Sequence, residues 1–241
     1  MRKVLPFLFL GCALIPPRLS LVVDLIPEPS GEGYGTAPDG SATYRAEGVL
    51  VKVRYLSDEE LNREYAELTF REPNLNPFTY GTWRDVDLGY TPKRFTVFQV
   101  EVHNFGRGKV LLDPYRAVLE TDLGERLPSW RISKDEGEPN FESYYRALSG
   151  PSGNEQYWFR ERMGTVRSAL YHPGKPVFKG QKYSGKLVFS PLDPRVGGVV
   201  LSIPFVLEFD GTGRPRDEVE LKFSFKVRQE VLRMEGSVGG S

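Results

Sequence analysis

The stretch Phe95-Thr96-Val97-Phe98-Gln99-Val100-Glu101-Val102-His103 decides the fold class of this chain. Phe98, Val100 and Val102 alternate with Val97, Gln99, Glu101 and His103. A two-residue period of that kind is the mark of a strand with one face buried and one face wet. Working outward, Asn104-Phe105-Gly106-Arg107-Gly108 carries turn residues, and Val110 to Glu120 reads as a second strand ended by Asp122-Leu123-Gly124-Glu125. The two strands are expected to form a hairpin.

Further strands flank this pair. Val49, Val51, Val53 and Tyr55 alternate with Leu50, Lys52 and Arg54. Tyr183 to Ser190 places Leu187 and Phe189 on one side, and Val199 to Phe209 follows. Val219, Leu221, Phe223, Phe225 and Val227 then alternate with Glu220, Lys222, Ser224 and Lys226. Slipping that last strand by one residue would bury lysines, so its register is well specified. Six or so strands with turn punctuation and no βαβ alternation predict a mainly β, antiparallel sandwich.

Three helices interrupt the pattern. Ser57-Asp58-Glu59-Glu60 is a capping box that opens a short helix through about Leu68, with Leu61, Tyr65 and Leu68 on one face. Residues 71–94 make a long loop rich in Pro, Asn and Gly that carries Phe78, Tyr80 and Trp83. Aromatics there point first to a loop packed down on the domain, and second to a ligand surface. Between Arg126 and Gly180, Phe141, Tyr144, Tyr145 and Leu148 have helical spacing behind Asn140 as a cap. Gly150-Pro151-Ser152-Gly153 breaks that helix, and a second runs from Asn154 to about Leu170 with Phe159, Met163, Val166 and Leu170 on one face. Pro173-Gly174 stops it. Residues 139–172 are thus expected to be a helical hairpin laid on the sandwich.

The order of motifs carries a resemblance. Phe95 to Asn104, then Leu119-Glu-Thr-Asp-Leu-Gly124, then Pro173-Gly174 and Gly185-Lys-Leu-Val-Phe189 resemble the immunoglobulin-like domain of uncharacterised exported and lipid-anchored bacterial proteins. In that group a V-x-V-x-N strand, a D-x-G turn and a G-x-L-V-F strand recur in this order. The likeness covers about residues 95–208, and the long helical insertion departs from the plain domain. It implies an immunoglobulin-like sandwich and an envelope location, and it transfers no catalytic residues.

The N-terminus agrees with that location. Arg2 and Lys3 precede an apolar run from Val4 to Leu10, then Gly11 and Cys12, the chain's single cysteine. A basic start, a short apolar segment and a small residue make an export signal. The run falls short of the roughly 20 apolar residues that span a bilayer. Leu8-Phe9-Leu10-Gly11-Cys12 resembles a bacterial lipoprotein signal, which implies that Cys12 is lipidated and becomes the new N-terminus. An ordinary secretory signal and an uncleaved anchor are the alternatives. Residues 1–12 are therefore read as the signal peptide, and 13–45, with Pro16, Pro17, Pro27, Pro29 and Ser30-Gly31-Glu32-Gly33, as a flexible tether. Within it, Leu19 to Ile26 is apolar enough for a short strand. The sandwich is expected over 46–232 and a disordered tail over 233–241. The expected location is the bacterial cell envelope, lipid-anchored on the periplasmic or outer-membrane side, with secretion as the alternative.

Composition narrows function mostly by exclusion. Lys+Arg and Asp+Glu number 32 each, so no global field draws in nucleic acid. Two histidines and one cysteine exclude an intrachain disulfide, a cysteine-type zinc site and a three-histidine site. His103 is expected on the outer strand face, and His172 at a helix end. Asp85 and Asp87, then Asp135, Glu136 and Glu138, then Asp210, Asp217 and Glu218 read as solvated loop charge, since none has EF-hand spacing. No nucleophile elbow or phosphate loop is present, and no catalytic residue, metal or cofactor is assigned.

What remains is an aromatic and arginine cluster in the insertion. Tyr144, Tyr145, Trp158 and Arg162, with Trp83 from the long loop, are the candidate binding residues, because such side chains dominate interface hot spots. Core packing competes for the same residues. The expectation is a non-enzymatic envelope lipoprotein that binds another protein through its sandwich edge or helical hairpin. A glycan or small-ligand binder, stacking sugars on Trp83, Trp130 and Trp158, is the alternative.

Overall fold

The computed structural model describes residues 18–46, 48–132, 137–150, 152–209, 212 and 214–234. The leader with Cys12, and the tail beyond Met234, lie outside the described residues. Two antiparallel sheets pack face to face as a sandwich. The first has the order β1 (Arg18–Pro27), β12 (Pro215–Met234), β11 (Gly198–Phe209), β6 (Lys109–Leu112), β9 (Val177–Phe178). In the same sheet β7 (Val118–Thr121) also pairs with β11, and β8 (Arg126–Pro128) pairs with β7. The second sheet runs β10 (Lys182–Phe189), β5 (Thr96–Asn104), β4 (Val49–Leu56), β3 (Ala42–Ala46), β2 (Tyr34–Thr36).

The alternation seen in the sequence builds the main core. Val49, Val51 and Val53 of β4 and Phe98, Val100 and Val102 of β5 face Leu221, Phe223, Phe225 and Val227 of β12. Leu187 and Phe189 of β10 join them. Phe98 lies 5.3 Å from Phe225 and 6.0 Å from Phe189, centroid to centroid, so rings from both sheets interlock.

The outer face of the second sheet divides in two. Toward its polar end, Gln99, Glu101 and His103 of β5 are only half-buried. At its other end Phe95, beside β5, together with Val97, Val188 and Leu56, is covered by a second apolar cluster. That cover comes from α1 (Asp58–Glu64), α3 (Phe141–Leu148) and α4 (Gly153–Ala169), through Leu61, Phe141, Tyr145, Met163 and Val166. The helical hairpin thus sits on the sheet face where the outward residues of β5 turn apolar. The capping box forms as expected: Glu60 N–H donates to Ser57 Oγ at 3.2 Å, and Ser57 N–H to the Glu60 carboxylate at 2.9 Å. A short α2 (Ala66–Thr69) continues from α1.

Three expectations need correction. First, residues 18–45 are not a flexible tether in this fold. They supply β1, β2 and most of β3, and β1 pairs with β12 over ten residues, Arg18 opposite Met234 through Pro27 opposite Phe225. The apolar residues Leu21, Val23 and Leu25 pack on the main core, and that burial outweighs the loop-like composition around them. At the other end, Arg233 and Met234 belong to β12, so the tail does not start at 233.

Second, β5 and β6 do not form a hairpin. Both edges of β5 are already taken, by β4 and β10, and the turn after it delivers the chain to the other sheet. Asn104 fixes that crossing: its buried amide nitrogen donates to Arg107 O at 2.9 Å and Val177 O at 3.0 Å, and its oxygen accepts from Arg107 N at 2.9 Å. Third, Val110 to Glu120 is two strands. Pro114 opens a 3₁₀ turn, Pro114–Arg116, that separates β6 from β7 along the same edge of β11.

Gly185 also has its explanation in packing. A Cβ there would lie 2.5 Å from both Cα and N of Tyr171. The chain leaving α4 runs against β10 at this point, with Tyr171 N–H donating to Lys186 O at 3.0 Å. Only glycine leaves room for that approach.

Candidate functional site

Tyr144, Tyr145 and Arg162 converge, but in a packing seam. Tyr145 is fully buried, and its hydroxyl donates to Pro77 O at 2.5 Å. Its ring stacks on Phe141 at 6.2 Å and meets Tyr144 edge-on at 5.0 Å. Arg162 reaches out of α4 to donate to Asn74 O at 2.8 Å, and its guanidinium lies 5.5 Å from the Tyr145 ring. Arg94 makes the matching contact, donating to Asn76 O at 3.1 Å while lying 4.2 Å over Tyr80. The two arginines clamp the long loop by its carbonyls. Burial pulls Arg162 below its ordinary value, and the neighbouring Arg94 acts in the same direction. Burial likewise pushes the Tyr144 and Tyr145 hydroxyls up, so both stay protonated donors.

The loop of residues 71–94 is packed down through its first half. Leu75, Asn76, Phe78 and Thr79 are buried, and the Asn76 amide donates to Thr69 Oγ1 at 2.9 Å and Leu61 O at 3.3 Å. Beyond Tyr80 the loop turns outward, and Trp83 is 52% exposed beside Tyr80 at 5.5 Å. Trp158 is half-buried on α4. Trp130 is held among Phe95, Phe141 and Tyr144 at 4.9 to 5.4 Å and donates to Ser190 Oγ at 3.2 Å. The candidate residues therefore separate into a buried anchor (Tyr145), braces (Tyr144, Arg162) and more open aromatics (Trp83, Trp158).

His103 lies 3.9 Å from the Phe105 ring, and His172 is exposed. Among the described residues no group of three or more His, Cys, Asp or Glu is placed to hold a metal. Asp135, Glu136 and Asp210 lie outside the described residues. A cleft of about 380 Å³ between α3 and α4 is lined by Arg146, Ser149, Gln156, Phe159 and Arg160.

The feature that sequence reading missed lies along β1. Glu28 N–H donates to Ser224 O at 2.8 Å, which sets the alternation of the β1–β12 ladder. Ser20, Val22, Asp24 and Ile26 turn their main-chain groups to β12, whereas Leu19, Leu21, Val23 and Leu25 turn theirs outward. Pro27, with no N–H to offer, falls on the outward side, where an edge strand tolerates it. No main-chain or side-chain group among the described residues bonds to Leu19 or Leu21 from that side. Val23 and Leu25 are buried; Leu19 and Leu21 are half-buried and reachable.

This edge is also apolar. β11 begins at Gly198, opposite Lys226, so beyond Val227 the β12 strand is paired, among the described residues, only with β1. The result is a two-stranded arm, Arg18–Asp24 against Arg228–Met234, on which Val22, Val231 and Leu232 are 38%, 48% and 46% exposed. Two strands alone are marginal in water, so an arm carrying exposed apolar residues invites cover. Beside β1 runs a groove of about 750 Å³ whose walls include Leu21, Val22, Asn62, Ala66, Phe70 and Arg84. The two-residue period of Leu19, Leu21, Val23 and Leu25 was the available signal for this edge.

No family model matches the chain, and no curated protein does. Among solved structures, the yjhA protein from Bacillus subtilis is similar at a TM-score of 0.35 and 9% identity, covering 75% of this chain and 93% of that one. That likeness carries no argument about fold or function.

Proposed function

We propose that this chain is a non-enzymatic, lipid-anchored protein of the bacterial envelope that binds another protein through the open edge of its sandwich. The observation that carries the reading is β1, an edge strand whose main-chain groups at Leu19 and Leu21 have no partner among the described residues, with exposed apolar neighbours at Val22, Val231 and Leu232. Long, flat, apolar edges are normally blunted by charge, proline or a covering element, because they recruit strands. Here Pro27 marks one end, Asp24 is the sole charge between Leu19 and Ile26, and the loop of residues 81–93 flanks the strand beside Leu19 without bonding to its main chain among the described residues.

The anchor and the edge act together in this reading. Residues 13–17 number five between Cys12 and β1. At roughly 3.3–3.6 Å per residue they reach about 18 Å. A lipid on Cys12 therefore holds the arm close to the headgroups, and the partner it meets is one that presents a segment near the membrane surface. The immunoglobulin-like resemblance agrees with this reading only in the sandwich and the envelope location that it implies. The glycan alternative draws less support, since Trp130 is engaged by three other rings and bonded to Ser190.

Affinity purification of the full-length protein from its own host after mild cross-linking tests the proposal, with Cys12→Ala and Val22→Lys as comparisons. A discrete companion recovered with the natural chain and lost from Val22→Lys supports it. A companion retained by Val22→Lys, or none at all, overturns it.

A further inference from the structure

The groove beside β1 has a strand on one wall and a helix on the other. Leu19 to Asp24 form the first wall; Ser57, Asp58, Asn62, Arg63 and Ala66 belong to the α1–α2 side. Phe70, 70% exposed, and the loop residues Gly81, Thr82 and Arg84 complete it, and no residue of β12 contributes. We infer that this groove takes one extended peptide segment, added to β1 as an extra strand, with alternate apolar side chains turned toward Ala66 and Phe70. The inference rests on the protein-binding reading above and names the chemistry of what is bound.

Four observations carry it. The outward N–H and C=O groups of Leu19 and Leu21 are spaced for a strand, and strand addition to a free edge draws its affinity from such main-chain bonds. A volume of about 750 Å³ leaves room for a bound segment, within the roughly 300–1,000 Å³ of ligand sites. The groove is bounded on its far side by α1, α2 and the 81–93 loop. One strand has a place there; a second copy of the chain would bring its own sheet, at about 4.8 Å per strand, into the space those elements fill. Charge in the groove is largely cancelled from within, since Lys93 pairs with Asp58 at 2.9 Å and Arg63 with Glu59 at 2.8 Å. Arg84 and Asp24, of opposite sign, remain exposed. The walls therefore favour an apolar segment of low net charge over an acidic or basic one.

A phage-displayed library of random linear 12-residue peptides, panned on the full-length protein in detergent, supplies the probe. Enriched sequences are made as synthetic peptides and titrated against three variants whose folding is checked by thermal unfolding. Leu21→Pro removes an outward donor and leaves the β1–β12 ladder intact. Ala66→Trp fills the groove from the opposite wall. Tyr157→Ala, on exposed α4 surface, is the control. The inference predicts enriched peptides with apolar residues at alternate positions. Their affinity falls by about tenfold in Leu21→Pro, the worth of one good hydrogen bond. It falls at least as far in Ala66→Trp and holds in Tyr157→Ala. If Leu21→Pro does not fold, Ala66→Trp decides alone.

Three results overturn the inference: no enrichment on folded protein, peptide binding indifferent to both groove variants, or a concentration-dependent dimer that Leu21→Pro abolishes. A cross-linked companion lost from Val22→Lys, alongside failed panning, would refute the peptide groove and leave the protein-binding reading standing.

Discussion

Replacing Tyr145 separates packing from recognition in the aromatic cluster. The residue has no exposed surface, and its hydroxyl donates to Pro77 O from inside the seam between α3 and the long loop. Tyr145→Phe keeps the ring and removes that bond. The net value of a protein hydrogen bond is about 1 kcal/mol, and a buried carbonyl left without a donor raises the loss to about 1–3 kcal/mol. Tyr145→Ala also deletes the ring stacked on Phe141 and set edge-on to Tyr144, and large-to-small changes of that type cost about 3–5 kcal/mol. Urea unfolding followed by tryptophan fluorescence reads both, since Trp130 lies 5.4 Å from Phe141 and Tyr144 and reports on the same seam. The slope is expected to stay constant while the midpoint falls in the order natural, Phe, Ala. A loss below about 0.5 kcal/mol in both variants, the range of ordinary surface changes, would refute the packing argument and return Tyr145 to the role of a contact residue.

Other predictions follow from single contacts. Gly185→Ala forces a methyl within 2.5 Å of the Tyr171 main chain, and its overpacking should cost about 1–3 kcal/mol in the same unfolding assay. Lys186, 5% exposed, donates to Glu64 at 2.7 Å and Gln99 at 3.3 Å. Glu64→Gln removes the negative charge that balances that ammonium while Gln99 remains an acceptor, and should destabilise by about 1–2 kcal/mol, less than the full cost for a buried pair because Glu64 is itself 45% exposed. Glu60 tests pH dependence. Burial works to raise its carboxyl, but bonds from Ser57 N–H and Arg54 outweigh that and hold it below its ordinary value. A lowered folded pKa gives stability that is present above the unfolded value of about 4.3 and lost as pH falls through the folded one. Thermal melts from about pH 6 to 3 should therefore show the natural chain losing more stability than Glu60→Gln; parallel curves would contradict the assignment.

The strands with clean alternation were legible because each has one face in the main core. β5 even announces where the helices sit: its outward residues are apolar at Val97 and polar from Gln99 onward. Ser57 and Asn140 name their helices through local bonds that need no tertiary context. Reading failed where the deciding term was long-range. Asn104-Phe105-Gly106-Arg107-Gly108 looks like a hairpin turn, and only the filling of both β5 edges shows that it crosses between sheets. Proline and glycine between 27 and 41 hid β2 and the approach to β3, short strands of which β3 is held by β4 and β2 by β3. The candidate site divides in the same way. Composition flagged Tyr144, Tyr145 and Arg162, yet nothing local tells a buried brace from an exposed contact. The β1 edge escaped because pairing partners, and hence free edges, are a property of the assembled sheet.

A photo-reactive amino acid at Val22, compared with the same group at Tyr157 on α4, tests the central claim most directly. Irradiation in the natural host should give one discrete adduct from position 22 that survives the move to full-length purification, and none from 157. A discrete adduct from 157 with none from 22 would contradict the account, moving the binding surface to the helical hairpin and leaving β1 as an unused edge.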